Sequence, residues 1–302
     1  MIRALTAVTA ATLIAGTAPA SAQQPDGGML LAPPRPGATG TLLNGRTLAA
    51  GYLVLDADIS PDGKTVAFSG HRTGDWNVDI FTVPVNGGNP TRITTHDAWD
   101  DNPAWSPDGT QIAYSTGLLD EQPFRDIAIV KSTGGTPRYV TDASAALSGA
   151  CPVGHRINRP VWFSDGKRLL VSDQCDAGWP NVTTTNSTQI ISVATGATLS
   201  TITGVWDADL SPNGREIAGV TYANGTSGAT TVIARYTIDG RRITNVTAAK
   251  KGLGQYDPIY SPRGNRIAYR KAVGADSTAW TVGINGGTRR NVDGTARVLD
   301  WR

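Results

Sequence analysis

The fold is decided by the stretch Asn102-Pro103-Ala104-Trp105-Ser106-Pro107-Asp108-Gly109-Thr110-Gln111-Ile112-Ala113-Tyr114. Pro107 presets the backbone for the second position of a type I turn, and Gly109 can adopt a positive φ without steric cost. A type I turn followed by a left-handed glycine commonly joins the two strands of a hairpin, whereas a proline here would interrupt a helix. The stretch therefore predicts a strand, a tight turn and a second strand.

This pattern occurs five times along the chain. Its turn glycines are 46 to 57 residues apart, at positions 63, 109, 166, 214 and 264. A second hairpin signal, Asn-Gly, Gly-Gly or Asp-Gly between apolar alternations, lies between the copies, as at residues 86–88 and 239–240. Each unit therefore has four strands, and periods of ~40–50 residues with four strands each are typical of propeller blades.

The two ends of the sequence together supply one more unit. Trp301 falls where Trp105 and Trp162 fall in their units, but no turn or outer strands follow it. Residues 28–50, which include a strand pair over residues 41–48, can provide the outer strands. The sequence therefore predicts an all-β, six-bladed β-propeller, closed by a composite blade from N- and C-terminal strands so that no sheet edge stays open. A five-bladed ring with a decorated edge is the alternative.

Composition agrees with an all-β domain and restricts the partners. The 302 residues include 35 glycines and 18 prolines, which suit many short strands joined by turns. The formal net charge is only +2, so neither nucleic acid nor an anionic membrane surface is an expected partner. We expect a single propeller domain over residues 41–302, acting as a monomer.

The first residues are typical of an export signal. Met1-Ile2-Arg3 is a short positive start, residues 4–16 are apolar, and Ala20-Ser21-Ala22 is a small-residue cleavage site. The apolar stretch is shorter than the ~20 residues that a membrane span needs. We therefore expect a signal peptide over residues 1–22, a secreted or periplasmic protein without a membrane span, and a flexible, Pro- and Gly-rich arm over residues 23–40.

The expected export of the protein bears on the oxidation state of its two cysteines. Cys151 and Cys175 lie in the same unit, and an oxidising compartment favours a disulfide between them; two free buried thiols are the alternative. A metal site is disfavoured, because these thiols and His155 make an incomplete ligand set. The loop over residues 143–150 is either a specificity loop or a neutral insertion.

The candidate binding residues lie in the connections that lead into each inner strand. These connections, residues 95–101, 142–159, 204–207, 253–257 and 293–297, are expected to converge on one mouth of the central channel. Loops on a rigid scaffold commonly carry binding function, and aromatic anchors among mixed charges suit a protein or peptide partner. The candidates are Trp99, Asp100, Asp101, His155, Arg156, Trp206, Asp207, Tyr256 and Asp257.

A polar residue also recurs three positions before the tryptophan place, and it has two interpretations. The residues are Asp56, Asn102, Asp207 and Asp257. They either cap backbone N–H groups at the strand start or form a ring of acceptors for a cation or a basic ligand. No cofactor is predicted, although a cation in the channel is possible. Trp105 and Trp162 are expected in the blade-to-blade core.

Enzyme signatures are scarce in this sequence. It contains no G-x-S-x-G elbow, no H-E-x-x-H and no P-loop, and the three histidines lie in different predicted loops. A carbohydrate-active hydrolase or lyase that uses an acidic pair on the propeller is the alternative to a binding module.

Residues 102–141 resemble the TolB-type β-propeller repeat. The matching motif is N-P-x-W-S-P-D-G-x-x-I-A-Y followed by G-G-x-P-R-x-x-T, and the resemblance extends over residues 41–302. It covers a propeller domain only and implies a six-bladed propeller that binds other proteins in the bacterial cell envelope. The repeat is also similar to the propeller domains of prolyl-oligopeptidase-type peptidases. Together with the export signal, it predicts a secreted or periplasmic module that binds a protein or peptide.

Overall fold

The computed structural model describes residues 28–32, 39–43, 46–117, 125–142, 154–176, 185–223, 230–273, 276–293 and 297–302. Within these ranges the chain forms twenty-four strands, arranged in six four-stranded antiparallel sheets. None of the described segments is a helix that could cross a membrane. The predicted all-β propeller is confirmed.

Five sheets are blades made of consecutive strands. Blade 1 contains β4 (Tyr52–Ile59), β5 (Thr65–Arg72), β6 (Asp79–Pro84) and β7 (Thr91–Arg92), and blade 2 contains β8 (Trp99–Trp105), β9 (Gln111–Gly117), β10 (Asp126–Lys131) and β11 (Arg138–Tyr139). Blade 3 contains β12 (Gly154–Trp162), β13 (Arg168–Asp176), β14 (Thr185–Ser192) and β15 (Thr198–Thr203). Blade 4 contains β16 (Trp206–Leu210), β17 (Glu216–Tyr222), β18 (Thr231–Thr237) and β19 (Arg242–Asn245). Blade 5 contains β20 (Gly254–Tyr260), β21 (Arg266–Val273), β22 (Asp276–Gly283) and β23 (Arg290–Asp293).

A sixth sheet, which we call the composite sheet, joins the two ends of the chain. Its order is β24 (Val298–Trp301), β1 (Met29–Leu31), β2 (Thr41–Leu43) and β3 (Arg46–Leu48). The flexible arm predicted over residues 23–40 is therefore wrong for β1, which pairs with β24 through Met29 opposite Trp301. The physical reason is burial, because Leu30 is fully buried among apolar side chains of blade 1.

The turn chemistry of the repeat appears as predicted. Gly109 has a φ of 70°, and the Ser106 hydroxyl donates to Asp108 Oδ1 at 2.6 Å while accepting from Gln111 N at 2.9 Å. Blade 1 repeats this arrangement with Ser60 and Asp62. The motif therefore fixes the position at which each inner strand ends.

Apolar side chains and tryptophan hydrogen bonds join neighbouring sheets. The indole Nε1 of Trp105 donates to the Asp58 carbonyl at 3.2 Å, and that of Trp162 donates to the Ala104 carbonyl at 3.1 Å. Trp105 is also buried in an apolar cluster with residues of blade 1, including Ala67 and Ile80. The predicted blade-to-blade role of both tryptophans is confirmed.

Candidate functional site

The inner strands carry an irregularity at one repeat position. The register of β8, β12, β16 and β20 shifts around four residues with positive φ, Asn102 (51°), Arg159 (52°), Asp207 (45°) and Asp257 (52°). A positive φ is uncommon for residues other than glycine, and a bulge of this kind redirects a side chain. Here their side chains meet one another across the centre of the ring.

These side chains form a network that we call the charged ring: Asp56, Asn102, Arg159, Asp207, Asp257 and Arg297. Arg159 Nη1 lies 2.6 Å from Asp257 Oδ1 and 4.0 Å from Asp207 Oδ1. On the other side, Asn102 Nδ2 donates to Asp56 Oδ2 at 2.8 Å. Arg297 Nη2 is 3.7 Å from Asp56 Oδ1.

The carboxylates of the ring differ in their ionisation. Burial opposes the charge of Asp257, but Arg159, Arg297 and Arg270 outweigh it and hold the pKa of Asp257 well below its ordinary value. Arg270 Nε contacts Asp257 Oδ2 at 2.6 Å. Burial raises the pKa of Asp207, and Arg159 offsets that effect only in part. Asp257 is thus a firmly ionised partner of two arginines, whereas Asp207 is weakly paired.

The ring explains the recurrent polar position better than either sequence interpretation. Asp56 Oδ1 does accept a hydrogen bond from the neighbouring Ala57 N at 3.0 Å, as a backbone cap would. The dominant contacts, however, are ion pairs with arginines that we did not single out. Arg159 occupies the same repeat position in the third unit, so this residue was predictable; Arg270 and Arg297 carry no repeat signal.

The predicted mouth residues lie on strands rather than on loops, which corrects the sequence analysis. The inner strands begin before the irregular position, so Trp99, Asp100 and Asp101 are the first residues of β8. In the same way, His155 and Arg156 belong to β12, Trp206 and Asp207 to β16, and Tyr256 and Asp257 to β20.

Strand alternation then separates these candidates into two groups. Asp101 accepts from the Ser69 hydroxyl at 2.6 Å and, with Asp207 and Asp257, lies at the channel. Asp100 is fully buried between blades 1 and 2, and Trp206 is 6% exposed and lies 4.8 Å from the Tyr222 ring. Asp100 and Trp206 are therefore core residues.

The remaining candidates are partly accessible or lie outside the described residues. Arg156 is exposed, and the Arg270 guanidinium lies 4.9 Å from the centroid of the Tyr256 ring. Cys175 is buried on β13. Outside the described part fall Cys151, the His155 side chain, the loop 143–150 and the signal peptide 1–22. The disulfide and the cleavage site stay predictions.

One exposed aromatic residue was missed by the sequence analysis. Trp76 is 86% exposed, in the connection between β5 and β6. Because Tyr52 at the start of β4 pairs with Arg72 at the end of β5, this connection lies on the side of the ring where the inner strands begin. We call that side the loop face, and the side with the Ser-Pro-Asp-Gly-type turns the turn face.

A cavity of about 460 Å³ lies at the opposite side of the charged ring. Inner-strand residues on the turn side of Asp56 and Asn102 line it, together with prolines of the turns. The charged ring therefore separates the loop face from this cavity.

Comparison with known proteins finds TolB among the relatives of this chain. No protein-family model matches it. The Tol-Pal system protein TolB of Francisella tularensis subsp. mediasiatica is 26% identical over 215 residues, which are 70% of this chain and 43% of that protein. The chain thus spans less than half the length of the curated TolB proteins it matches.

Solved structures agree on the fold. A structure assigned to TolB from Agrobacterium tumefaciens superposes with a TM-score of 0.62 and 18% identity, covering 91% of this chain and 92% of that one. TolB from Acinetobacter baumannii gives a TM-score of 0.62 and 19% identity, covering 89% of this chain and 64% of that one. The described residues therefore form a TolB-like β-propeller.

Proposed function

We propose that this TolB-like propeller is a periplasmic or secreted module that binds a protein or peptide at its loop face. The exposure of Trp76, 86% on that face, is the observation that carries the proposal. Tryptophan and arginine dominate the energetic centres of protein interfaces. Trp76, which is exposed to solvent in the folded chain, is therefore the best anchor for a partner.

Arginine–aromatic pairs at the starts of the inner strands support this assignment. The Arg125 guanidinium lies 6.0 Å from the Trp99 ring centroid, and that of Arg72 lies 5.4 Å from the Tyr52 ring centroid. The Arg72 Nε also donates to the Tyr52 hydroxyl at 2.9 Å. These pairs hold long side chains in place, which lowers the entropy cost of binding.

The charged ring favours binding over the hydrolase or lyase alternative. A glycosidase acid needs a raised pKa, and its partner carboxylate needs access to the sugar. Asp207 has a raised pKa, but Asp257 beside it has a lowered pKa, and an arginine lies 2.6 Å from each of its two oxygens, so Asp257 is not free to contact a sugar. In this proposal the charged ring is a rigid structural element that blocks the channel beneath the binding face.

The composite sheet serves as the sixth blade in this proposal. Strand β24 packs against both β20 of blade 5 and β4 of blade 1. The Asp300 Oδ2 accepts from Ile59 N of blade 1 at 2.9 Å, as Asp58 Oδ2 accepts from Trp105 N of blade 2 at 2.6 Å. The same bond therefore links the composite sheet to its neighbour and blade 1 to blade 2.

The test is photo-crosslinking in an envelope extract of an exporting cell. A photoreactive residue at position 76 should capture a defined partner, and one at Lys64 on the turn face should not. Trp76→Ala should weaken binding of the captured partner at least tenfold, because the complex then lacks an aromatic side chain that the partner would bury. Leu199→Ala, which removes an exposed apolar side chain from β15, is the matched control and should leave binding unchanged.

Two outcomes would contradict the proposal. One is undiminished binding by Trp76→Ala in a variant that melts like the wild type. The other is steady turnover of an oligosaccharide that Asp257→Asn abolishes, which would favour the hydrolase or lyase.

A further inference from the structure

The cavity at the turn face has the dimensions of a ligand site. Its volume of about 460 Å³ falls within the roughly 300–1,000 Å³ of small-molecule pockets. Inner-strand residues of all six sheets line it. The charged ring closes it toward the loop face, so it is separate from the face assigned above.

Four aromatic residues line the cavity, but only Trp162 is more than 6% exposed. They are Trp105, Trp162, Tyr260 and Trp301, from four different sheets. Prolines of the turns, such as Pro107 and Pro212, extend this apolar lining toward the rim. A wall of this kind favours a flat or cationic group, because the face of an aromatic ring is electronegative.

Asp209 differs from the two neighbouring cavity carboxylates, because Arg302 contacts Asp58 and Asp300 directly and acts on Asp209 only from a longer distance. Asp58 and Asp300 share Arg302, whose Nη2 is 2.8 Å from Asp58 Oδ1 and whose Nε is 3.3 Å from Asp300 Oδ2. Asp209 accepts a hydrogen bond from Tyr260 N at 2.7 Å. Among the residues that the structure describes, no arginine or lysine lies within 4.0 Å of the Asp209 carboxylate, which is partly exposed to the cavity.

We propose that this cavity binds a guanidinium group, presented either by a small free compound or by the arginine side chain of a peptide. Asp209 supplies the counter-charge, and the partly exposed Trp162 supplies a stacking surface. A guanidinium is flat and more weakly hydrated than an ammonium, so it loses less on entering such a site. Burial raises the pKa of Asp209 to about 6, so its carboxylate is ionised at pH 7.5.

The test uses the full chain at pH 7.5 and low salt, with titration calorimetry and tryptophan fluorescence as readouts. N-acetyl-arginine amide and methylguanidinium are the two probes. N-acetyl-citrulline amide, which is nearly isosteric but neutral, should bind at least tenfold more weakly than the arginine compound. Tighter binding of methylguanidinium assigns a free compound as the source, and tighter binding of N-acetyl-arginine amide assigns a peptide.

Asp209→Asn should weaken binding of the better probe at least tenfold. Its control is Asp239→Asn on the exposed turn after β18, which makes the same change in net charge far from the cavity and should bind like the wild type. If Asp209→Asn melts below the wild type, Trp162→Leu provides the second variant, because Trp162 is only partly buried. That variant should bind the probe at least threefold more weakly.

The proposal is overturned if neither probe binds the wild type. It is equally overturned if the citrulline compound binds as tightly as the arginine compound, or if the folded cavity variant retains full affinity. Failure at this site is distinguishable from failure of the proposed function, because partner capture at position 76 does not involve Asp209.

Discussion

Asp100 and Asp257 are two buried carboxylates with opposite electrostatic environments. Asp257 faces arginines, which lower its pKa. Asp100 is fully buried, and this burial raises its pKa to about 6, because the nearby Thr94 and Thr116 hydroxyls offset the effect only in part. His96 Nε2 lies 3.6 Å away, and Asp79 adds a like charge. Asp100 therefore destabilises the fold at neutral pH, whereas Asp257 stabilises it.

Asp100→Asn should stabilise the protein at pH 7.5 by about 1–3 kcal/mol, since a raised carboxyl pKa penalises the ionised folded state. The sign follows from the pKa direction: the folded state binds the proton more tightly than the unfolded chain, so the penalty is complete above pH 6. It fades as the pH falls toward 4. The gain should therefore be small at pH 4.5.

Urea unfolding at both pH values measures this difference. Asp97→Asn, at an exposed position of the connection that precedes β8, should change stability little at either pH. Equal destabilisation of Asp100→Asn at pH 7.5 and pH 4.5 would contradict the assignment.

Sequence reasoning reached part of this residue-scale picture. The recurrence of Asp56, Asn102, Asp207 and Asp257 located the ring, because four inner strands, β8, β12, β16 and β20, share a bulge at this position. It did not separate Asp100 from Asp101, since their roles depend on which face of β8 each side chain occupies. That alternation becomes visible only once the strand start is known.

At the scale of elements, the turns were predictable and the strand starts were not. Ser-Pro-Asp-Gly carries its own hydrogen bonds, so local sequence fixes the hairpin. The inner strands begin several residues before the bulge, and their early residues pair with β5, β9 and other second strands despite polar sequences. Pairing with the second strands therefore determines the structure of these early residues, although their local sequence is typical of a loop.

Two turn glycines of blade 3 provide a matched test of blade-to-blade contact. Gly166 (φ 63°) has open space around an added Cβ, whereas at Gly196 (φ 70°) that atom would lie 2.0 Å from the Val140 carbonyl oxygen of blade 2. Gly166→Ala should cost roughly 1–2 kcal/mol for the left-handed backbone alone. Gly196→Ala should cost about 2–5 kcal/mol, because overpacking adds roughly 1–3 kcal/mol.

Chemical denaturation of the two variants at one pH gives this comparison directly. Similar losses in both variants would show that the turn of blade 3 moves freely away from blade 2. A larger loss at Gly196 would show that the blades are held at a fixed distance.

At the scale of the whole molecule, the composite sheet has apolar contacts with blade 1 and with blade 5. Leu299 packs in an apolar cluster with Phe68 of blade 1, and Trp301 packs in another with Ala268 of blade 5. The repeat position of Trp301 made this closure predictable. The bounds of the short strand β1 were not predictable, because three residues beside a Pro- and Gly-rich stretch give no clear β pattern.

Trp301→Ala and Trp76→Ala make the same chemical change at opposite extremes of burial. Trp301 is 4% exposed and lies between the composite sheet and blade 5, whereas Trp76 is 86% exposed. A tryptophan-to-alanine change in a core typically costs about 3–5 kcal/mol. Trp301→Ala should therefore lower the melting temperature strongly, and Trp76→Ala should leave it nearly unchanged.

Deletion of residues 298–302 extends the same test to the whole closing strand. It removes β24, leaves one edge of β1 unpaired and removes the Asp300 acceptor of Ile59 N. Open strand edges favour association, so the truncated protein should aggregate or melt far below the wild type. Differential scanning calorimetry with light scattering records both effects. An unchanged melting temperature would mean that the five consecutive blades are stable without the composite sheet, and the five-bladed ring with a decorated edge would then describe the molecule.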